Sequence, residues 1–190
     1  MKHLLLALCL TACTVEPKFV IHPPTSYSPK RVIPVAIDTT FTEQEKEQLL
    51  LSLTDWNLAL NNEMVLKVYT DHFDMAQSDI DYIYSTNGFM MLKIDALGPV
   101  ARNLAPNIVA MTENIGGHII YFIAEKIRIP QVRYRAGHEI AHILGAEHTN
   151  YGFMKREYDP LSYACIDFNT ISQVARFNGL DVQRLNWCVQ

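Results

Sequence analysis

Residues 138–148 read HEIAHILGAEH, and this stretch sets three histidines and one glutamate at fixed offsets. Residues four apart lie on the same face of an α-helix, so His138 and His142 can direct their imidazoles at one ion. Glu139 lies one step around the helix, from where its carboxylate can take a proton from a water molecule beside that ion. The spacing therefore predicts a helix that carries two metal ligands and a base.

The glycine of this stretch predicts where the helix ends. Gly145 accepts the left-handed conformation that ends a helix without a steric penalty, and the resulting turn would bring His148 to the ion as a third ligand. Three protein ligands with a fourth position open are the catalytic arrangement of zinc, whereas structural zinc sites are closed by four ligands. We therefore expect one catalytic Zn²⁺ ion held by three histidines. The alternative is that these histidines are ordinary core or surface residues.

The pattern HExxHxxGxxH resembles the zinc-binding signature of the metzincin metallopeptidases, and of their matrixin-like members in particular. This family has a methionine in a turn beneath the metal, and the resemblance makes Met154, six residues after His148, the candidate for this Met-turn. The alternative is that Met154 only fills a gap in the core, as methionine often does. Some metzincins have a tyrosine two residues after the methionine. Arg156 stands there in this chain, so a fifth ligand is not expected.

The resemblance also implies an α+β fold. It comprises a twisted mixed sheet with an edge strand at the cleft, a backing helix, the active-site helix and a C-terminal helix. By the same resemblance, residues 117–123 are the edge strand to which an extended peptide substrate would pair antiparallel. The turn-rich residues 155–168, with residues 158–161 in their middle, would wall the pocket for the side chain after the cleaved bond. His118 starts the edge strand and is more typical of a surface residue than of a further ligand.

Capping residues predict the first helix and the last. Thr42 and Glu45 form a capping box that opens a helix to about Leu60, and a second capping box at residues 170–173 opens a closing helix that Gly179 ends. Apolar residues recur at helical spacing along the first helix, and we expect this stripe to face the core. The stripe consists of Leu49, Leu53, Trp56 and Leu60.

Alternating and β-branched residues predict the strands. A first strand is expected at residues 31–37, where Pro34 favours a sheet edge or a bulge. Asn87-Gly88 is typical of a hairpin turn between two strands, and residues 100–115 are expected to form a loop. The other β-like runs are residues 64–70, 80–85 and 89–94.

The N-terminus has the features of an export signal. A short apolar run at residues 4–10 leads into Leu10-Thr11-Ala12-Cys13, which resembles the lipobox of bacterial lipoproteins. The resemblance implies that residues 1–12 are a signal peptide and that Cys13 is lipidated. A plain secretory signal and an uncleaved anchor are the alternatives. Thr14 follows Cys13 where an aspartate would retain the protein in the inner membrane, which implies the outer membrane of a Gram-negative bacterium.

The rest of the chain divides into a tether and one domain. Prolines in residues 13–30 predict an extended tether that holds the domain off the membrane, and residues 31–190 are expected to form the zinc metallopeptidase domain. Cys165 and Cys188 are the cysteines left in that domain. An oxidising compartment favours a disulfide between them, and two buried thiols are the alternative.

The composition of the whole chain bounds its partners. The chain has 190 residues, of which 49% are hydrophobic and 19% charged, with a formal net charge of -4. This balance suits one globular domain and lacks the basic surface of a nucleic-acid-binding protein. We expect a monomer whose partners are a protein or peptide substrate and, through the N-terminal lipid, a membrane.

The motif and the resemblance together predict a zinc-dependent endopeptidase. A metal-activated water would attack the peptide bond with Glu139 as general base. One alternative is another zinc hydrolase, such as an enzyme that cuts cell-wall peptides. The other is a lipoprotein that keeps the zinc fold as a binding module without catalysis. A purely structural site has no need of Glu139 at this offset, which argues against the binding module.

Overall fold

The computed structural model describes residues 18–24, 28–157 and 165–189. The predicted signal peptide (residues 1–12), the predicted lipidation site Cys13 and residues 158–164 of the predicted pocket wall (residues 155–168) lie outside these described residues. No helix of the described ranges is long and apolar enough to span a lipid bilayer.

Seven strands and four α-helices make up the described fold, together with three short 3₁₀ turns. In chain order they are β1 (Lys18–Val20), β2 (Val32–Asp38), α1 (Glu43–Leu60), β3 (Val65–Phe73), α2 (Gln77–Ser85), β4 (Phe89–Ile94), β5 (Ala110–Thr112), β6 (Ile119–Ile123), α3 (Ile129–Ile143), α4 (Phe168–Asn178) and β7 (Trp187–Val189). The 3₁₀ turns are Ala101–Asn103, Ala124–Lys126 and Val182–Arg184.

A mixed five-stranded sheet lies at the centre, with strand order β3-β2-β4-β6-β5. The pairs β2–β3, β2–β4 and β4–β6 are parallel, and only the edge strand β5 runs antiparallel to its neighbour β6. Parallel neighbours need a crossover connection, and α1 supplies it between β2 and β3. Helix α2 connects β3 to β4, which lies on the other side of β2. The predicted α+β fold with a mixed sheet and an edge strand is confirmed.

Helix α1 is the backing helix, and its predicted start is confirmed. The Thr42 side chain accepts a hydrogen bond from the Glu45 amide and the Glu45 carboxylate accepts one from the Thr42 amide, so the capping box is complete. The helix ends at Asn61, whose left-handed backbone (φ 47°) closes the last turn. Trp56 is fully buried, and its indole Nε1 donates to the Gly137 carbonyl at 2.9 Å, which ties α1 to α3. The remaining members of the predicted stripe, Leu49, Leu53 and Leu60, are buried as expected.

Residues 80–85 were expected to be a strand, and this prediction is wrong because they belong to α2. Ile83 is fully buried, and Ile80, one helical turn before it, packs against the same small cluster on the sheet. Tyr82 and Tyr84 are exposed. The apolar residues therefore repeat at three residues, which suits a short helix lying on a sheet better than a strand.

The predicted hairpin at Asn87-Gly88 is also wrong. These residues follow α2 and lead into β4, which runs parallel to β2 instead of antiparallel to a preceding strand. Asn87 is left-handed (φ 52°), as in many turns. Gly88 passes so close to the Pro34 carbonyl that a β-carbon there would collide with it. A glycine is needed here because the backbone passes close to Pro34, and not because the chain forms a hairpin.

Pro34 was expected to mark a sheet edge or a bulge. The prediction of a sheet edge is wrong, because β2 lies between β3 and β4. The pairing of β2 with β3 does have an irregularity shortly after the proline, between Val35 and Ala36. Pairing with β4 begins only at Val35, opposite Phe89. The missing amide hydrogen of Pro34 therefore falls where β2 does not yet pair with β4.

The assignment of residues 117–123 as the edge strand is wrong. These residues contain β6, which is hydrogen-bonded to β4 on one side and to β5 on the other. The edge strand on this side of the sheet is β5, at residues 110–112, inside the segment expected to be a loop. Three residues are too short a run for a period of two to be recognised in the sequence.

The described part of the predicted tether lies against the domain. Strand β1 pairs antiparallel with the C-terminal strand β7, with Phe19 opposite Cys188. The His22 amide donates to the Asn186 side chain at 2.7 Å, and the His22 imidazole lies 5.2 Å from the Trp187 ring, centroid to centroid. His22 is half-buried and not solvated as expected. Residues 18–24 are therefore part of the folded unit.

The C-terminal helix begins earlier than predicted. Asp167 caps α4 by accepting a hydrogen bond from the Thr170 amide at 2.9 Å, so the capping box expected at residues 170–173 is wrong. Gly179 ends the helix with φ 66°, as predicted. Cys165 and Cys188 form a disulfide that joins the segment before α4 to β7.

We expect the double variant Cys165→Ser/Cys188→Ser to be less stable than the wild type. The disulfide has a sequence separation of 23 residues, and closing a loop of this size stabilises a fold by about 3 kcal/mol in the chain-entropy picture. Urea unfolding of the oxidised wild type, the reduced wild type and the variant measures this. The reduced wild type should match the variant. Equal midpoints for the oxidised wild type and the variant would contradict the expectation.

Candidate metal centre

The three histidines of the motif meet at one place. Helix α3 carries His138 and His142, and the loop after it carries His148. The Nε2 atom of His148 lies 3.2 Å from Nε2 of His138 and 3.3 Å from Nε2 of His142. The ligand atoms of this group all lie within 4.8 Å of one another, which is the spacing of atoms that can share one metal ion. His138 and His142 are buried, and His148 is exposed.

Two backbone carbonyls orient the buried imidazoles. Nδ1 of His138 lies 3.1 Å from the Phe153 carbonyl oxygen, and Nδ1 of His142 lies 2.7 Å from the Ala146 carbonyl oxygen. A carbonyl only accepts, so Nδ1 of each ring must carry the proton, and Nε2 of the neutral ring is left with its lone pair toward the cluster. Outer partners of this kind are typical of metal-binding histidines. The donor set therefore fits a metal ion.

Gly145 makes the turn that brings the loop back. Its φ is 96°, and a β-carbon at this position would collide with the Phe177 ring. The Ala146 amide donates to the Ala141 carbonyl at 2.8 Å and the Gly145 amide donates to the His142 carbonyl at 3.0 Å, the pair of bonds that closes a Schellman motif. The turn thus places the Ala146 carbonyl against His142 and sends the chain toward His148.

Glu139 lies beside the histidines and is held from the edge strand. It is 7% exposed, and the Thr112 hydroxyl of β5 lies 2.8 Å from its Oε2 atom. Burial raises the pKa of the Glu139 carboxyl above its usual range, while His142 and the hydrogen bond from Thr112 act in the opposite direction. The site therefore contains an acid–base group next to the three imidazoles.

The imidazoles themselves resist protonation. Burial lowers the pKa of His138 to about 3, and neighbouring His142 adds to this effect. His148 is exposed as a whole residue, but partial desolvation of its ring lowers its pKa to about 4, with smaller contributions from His142 and Arg156. Both rings are neutral at pH 7, which is the state in which imidazole binds a metal.

The loop after His148 contacts the cluster through the Phe153 carbonyl and packs against the core. Phe153, whose carbonyl faces His138, packs its ring edge-on against Trp56 and Tyr134 at centroid distances of 6.2 and 5.6 Å. Met154 is fully buried, and its carbonyl accepts a hydrogen bond from the Thr149 amide at 3.0 Å. Met154 therefore directly follows a residue that touches the cluster, and its role as the Met-turn stays a prediction.

Sequence reasoning missed two supporting residues. Asp167 accepts a hydrogen bond from the Phe153 amide at 2.8 Å, and a β-carbon at Gly152 (φ 72°) would collide with its carboxylate. An aspartate three residues before Thr170 is a capping signal that the second capping box obscured. Thr112 was missed because its strand was expected to be a loop.

His118 lies outside the cluster. Its Nδ1 atom is 2.7 Å from the Gly88 carbonyl oxygen, and its ring lies 4.8 Å from the Tyr84 ring, centroid to centroid. These contacts hold it at the start of β6, where it is half-buried. In the part of the chain that the structure describes, His118 is not among the residues that group around a metal position.

The fold is similar to that of a solved metalloproteinase. The crystal structure of metalloproteinase-II from Bacteroides fragilis matches this chain with a TM-score of 0.50 and 14% sequence identity, over 84% of this chain and 57% of that one. The chain thus spans a little more than half the length of that structure. No protein-family model matches the chain, and no curated protein is found to be similar to it. At this identity the likeness is one of fold, and that fold is metalloproteinase-like.

We expect the metal-free protein to lose stability as the pH falls below about 6.5. The folded-state pKa values of His138 and His148, about 3 and about 4, lie below the ordinary value of 6.5. Above pH 6.5 these rings are neutral in both states. Between pH 6.5 and about 4 the unfolded chain binds protons that the folded chain does not, so acid favours unfolding.

Urea midpoints measured in a chelator at pH 7.5, 6 and 5 test this expectation. A His148→Gln variant should show a smaller fall than the wild type. The control is His72→Gln, which removes an exposed histidine outside the cluster. Identical pH profiles for His148→Gln and the wild type would contradict the assignment.

We expect Asp167→Ala to weaken metal binding without removing any ligand. The change removes the helix cap and the acceptor for the Phe153 amide, so the carbonyl that orients His138 is less well held. Loss of such outer support costs about tenfold or more in metal affinity. Competition titration with Zn²⁺ or Co²⁺ measures it. Asp181→Ala, which removes the cap of a 3₁₀ turn, is the control and should bind as the wild type does. If Asp167→Ala bound the metal as tightly as the wild type, Asp167 would have no role in supporting the metal site.

Proposed function

We propose that this protein is a zinc-dependent endopeptidase. The observation that carries the proposal is that three Nε2 atoms converge while Glu139, which follows His138 on α3, interacts electrostatically with His142. Three imidazoles leave room for substrate and water, unlike a site closed by four ligands. The metalloproteinase-like fold supports the same conclusion, and helix α3 packs against the edge strand β5.

The roles of the chain's own residues follow from their positions. His138, His142 and His148 would hold Zn²⁺, which when bound supplies Lewis-acid polarisation of the peptide carbonyl and of the attacking water. Glu139 takes the proton from that water as it attacks and passes it to the leaving amine. The carboxylate is buried beside the cluster, so bulk water does not compete strongly for it.

Strand β5 offers a place for the main chain of a peptide. The Ile123 amide donates to the Val109 carbonyl and the Glu113 amide donates to the Ile119 carbonyl, so the odd-numbered residues of this stretch pair with β6. In an antiparallel ladder the alternate residues point the other way. The main-chain groups of Ala110 and Thr112 therefore face away from β6. The Thr112 amide is hydrogen-bonded to the Glu139 carboxyl, and an extended peptide would add to this edge through the carbonyls and the Ala110 amide.

Export and lipid attachment through Cys13 remain part of the proposal on the sequence alone. They account for a peptidase that meets its substrate outside the cytoplasm. A protein or peptide substrate is proposed in preference to a cell-wall peptide because an extended chain is what pairs with a strand edge.

We expect Glu139→Gln to bind zinc as the wild type does and to lose at least about a hundredfold in peptide hydrolysis, because the amide cannot take a proton. His142→Ala should lose both zinc and activity. Zinc content of the purified chain and digestion of a mixed-peptide library, with and without a chelator, measure the two properties.

The matched control is Glu147→Gln, the same change at an exposed position of the motif. It should keep both zinc and activity. A Glu139→Gln variant that cleaved peptides at the wild-type rate would remove the base from the proposal. A wild type that cleaved cell-wall peptides but no protein or unstructured peptide would replace the proposed substrate class.

A further inference from the structure

The catalytic carboxylate proposed above is held by a residue of another element. The Thr112 hydroxyl oxygen in β5 lies 2.8 Å from Oε2 of Glu139 and 3.1 Å from the main-chain oxygen of the same residue. A hydroxyl has one proton, so it donates to one of these acceptors at a time, and the carboxylate contact is the shorter. Among the described residues, Thr112 is the side chain that donates a hydrogen bond to this carboxylate.

We infer that Thr112 is a positioning residue that fixes the orientation of the Glu139 carboxylate for proton transfer. The inference rests on the proposed function, in which Glu139 is the base. A glutamate side chain has three rotatable bonds, and a hydrogen bond to Oε2 selects one arrangement among them.

Position and burial make this contact more than a surface bond. Glu139 is 7% exposed, so a carboxylate without a donor would be costly there. Thr112 is half-buried, and its strand packs directly against α3. A charge-assisted hydrogen bond in such surroundings is stronger than a neutral bond in water.

The same residue also faces the proposed substrate. The main-chain groups of Thr112 face away from β6, and its amide and its hydroxyl are both hydrogen-bonded to the Glu139 carboxyl. A peptide that pairs with this edge therefore docks on the residue that holds the base. In this arrangement the position of the substrate main chain and the position of the carboxylate are set by one residue.

A purely structural reading makes different predictions. If Thr112 only tied β5 to α3 through the Glu139 main chain, removing the hydroxyl would lower stability and zinc affinity, and activity would fall in proportion. If it positions the carboxylate, kcat should fall while KM, zinc affinity and the melting temperature stay near the wild-type values.

The test compares Thr112→Val, which keeps the shape but loses the hydroxyl, with Thr112→Ser, which keeps the hydroxyl. Both are made in the full chain and loaded with zinc. Thr112→Val should lose about tenfold to a hundredfold in kcat, the usual cost of removing an outer hydrogen-bond partner, with KM within about twofold. Thr112→Ser should recover most of the loss. Thr112→Ala serves if the valine variant does not fold.

The matched control is Thr54→Val. Thr54 is an exposed threonine of α1 whose hydroxyl donates to the Leu50 carbonyl at 2.9 Å. It should leave kcat and KM unchanged. A second measurement does not depend on turnover: crystal structures of the zinc-loaded wild type and Thr112→Val. We expect one Glu139 rotamer in the wild type and a different rotamer, or two, in the variant.

Wild-type kcat in Thr112→Val, with the Glu139 rotamer unchanged, would overturn the inference. A loss of kcat matched by losses of zinc and melting temperature, and not restored by serine, would overturn it as well. Failure of the proposed function is separate, because it would show as peptide cleavage by Glu139→Gln or as no cleavage by the wild type. The rotamer comparison decides the role of Thr112 in either case.

Discussion

The site depends on the reversal of the chain at Gly145. Helix α3 can place two imidazoles on one face, but a helix cannot place the third ligand, because a residue six positions after His142 would lie farther along the axis. The left-handed glycine ends the helix, and the two Schellman hydrogen bonds fix the angle at which the chain leaves it. The same turn presents the Ala146 carbonyl to His142. One backbone conformation therefore delivers a ligand and orients another.

The helix that carries the site is held on its buried side by contacts spread over the whole chain. The Trp56 indole bonds to the Gly137 carbonyl, one residue before the first ligand, and the Phe153 ring packs against that indole. The Phe153 amide reaches Asp167, which caps α4 two residues after the disulfide at Cys165. The cluster is thus braced by the backing helix from the first half of the chain and by the C-terminal segment from the second.

Much of this arrangement could be predicted from the sequence, because the motif and the capping box are local signals. The start of α1, its buried stripe and the pair His138 and His142 follow from spacings of three or four residues on a helix, and the place of His148 follows from the glycine that ends α3. Short elements were not predictable in the same way. Helix α2 contains alternating aromatic and aliphatic residues that suggest a strand, and only its position over the sheet selects the helix. Tertiary packing overrides local preference in such short segments.

The supporting residues of the site were hidden for the same reason. Asp167 accepts a hydrogen bond from the Phe153 amide, and the Phe153 carbonyl accepts one from His138. The loop that brings these residues together cannot be predicted from any one stretch of sequence. Thr112 acts through a three-residue strand that has no periodicity to recognise. A metal-binding motif can be recognised in the sequence by residue type and spacing. The groups that orient its histidines are common residue types, and they gain this role only from their position in the folded structure.

In the proposed function, the order of the strands decides where a peptide substrate could bind. Strand β6 pairs on both sides, so its main-chain groups are already used, and a peptide cannot add to it. The short antiparallel strand β5 leaves alternate main-chain groups at the outer edge while its threonine touches the carboxylate of α3. Assigning the edge to residues 110–112 instead of 117–123 therefore changes which main-chain groups a peptide could pair with. It brings this edge of the sheet into contact with Glu139, so that in the proposed function peptide binding and proton transfer would share one strand.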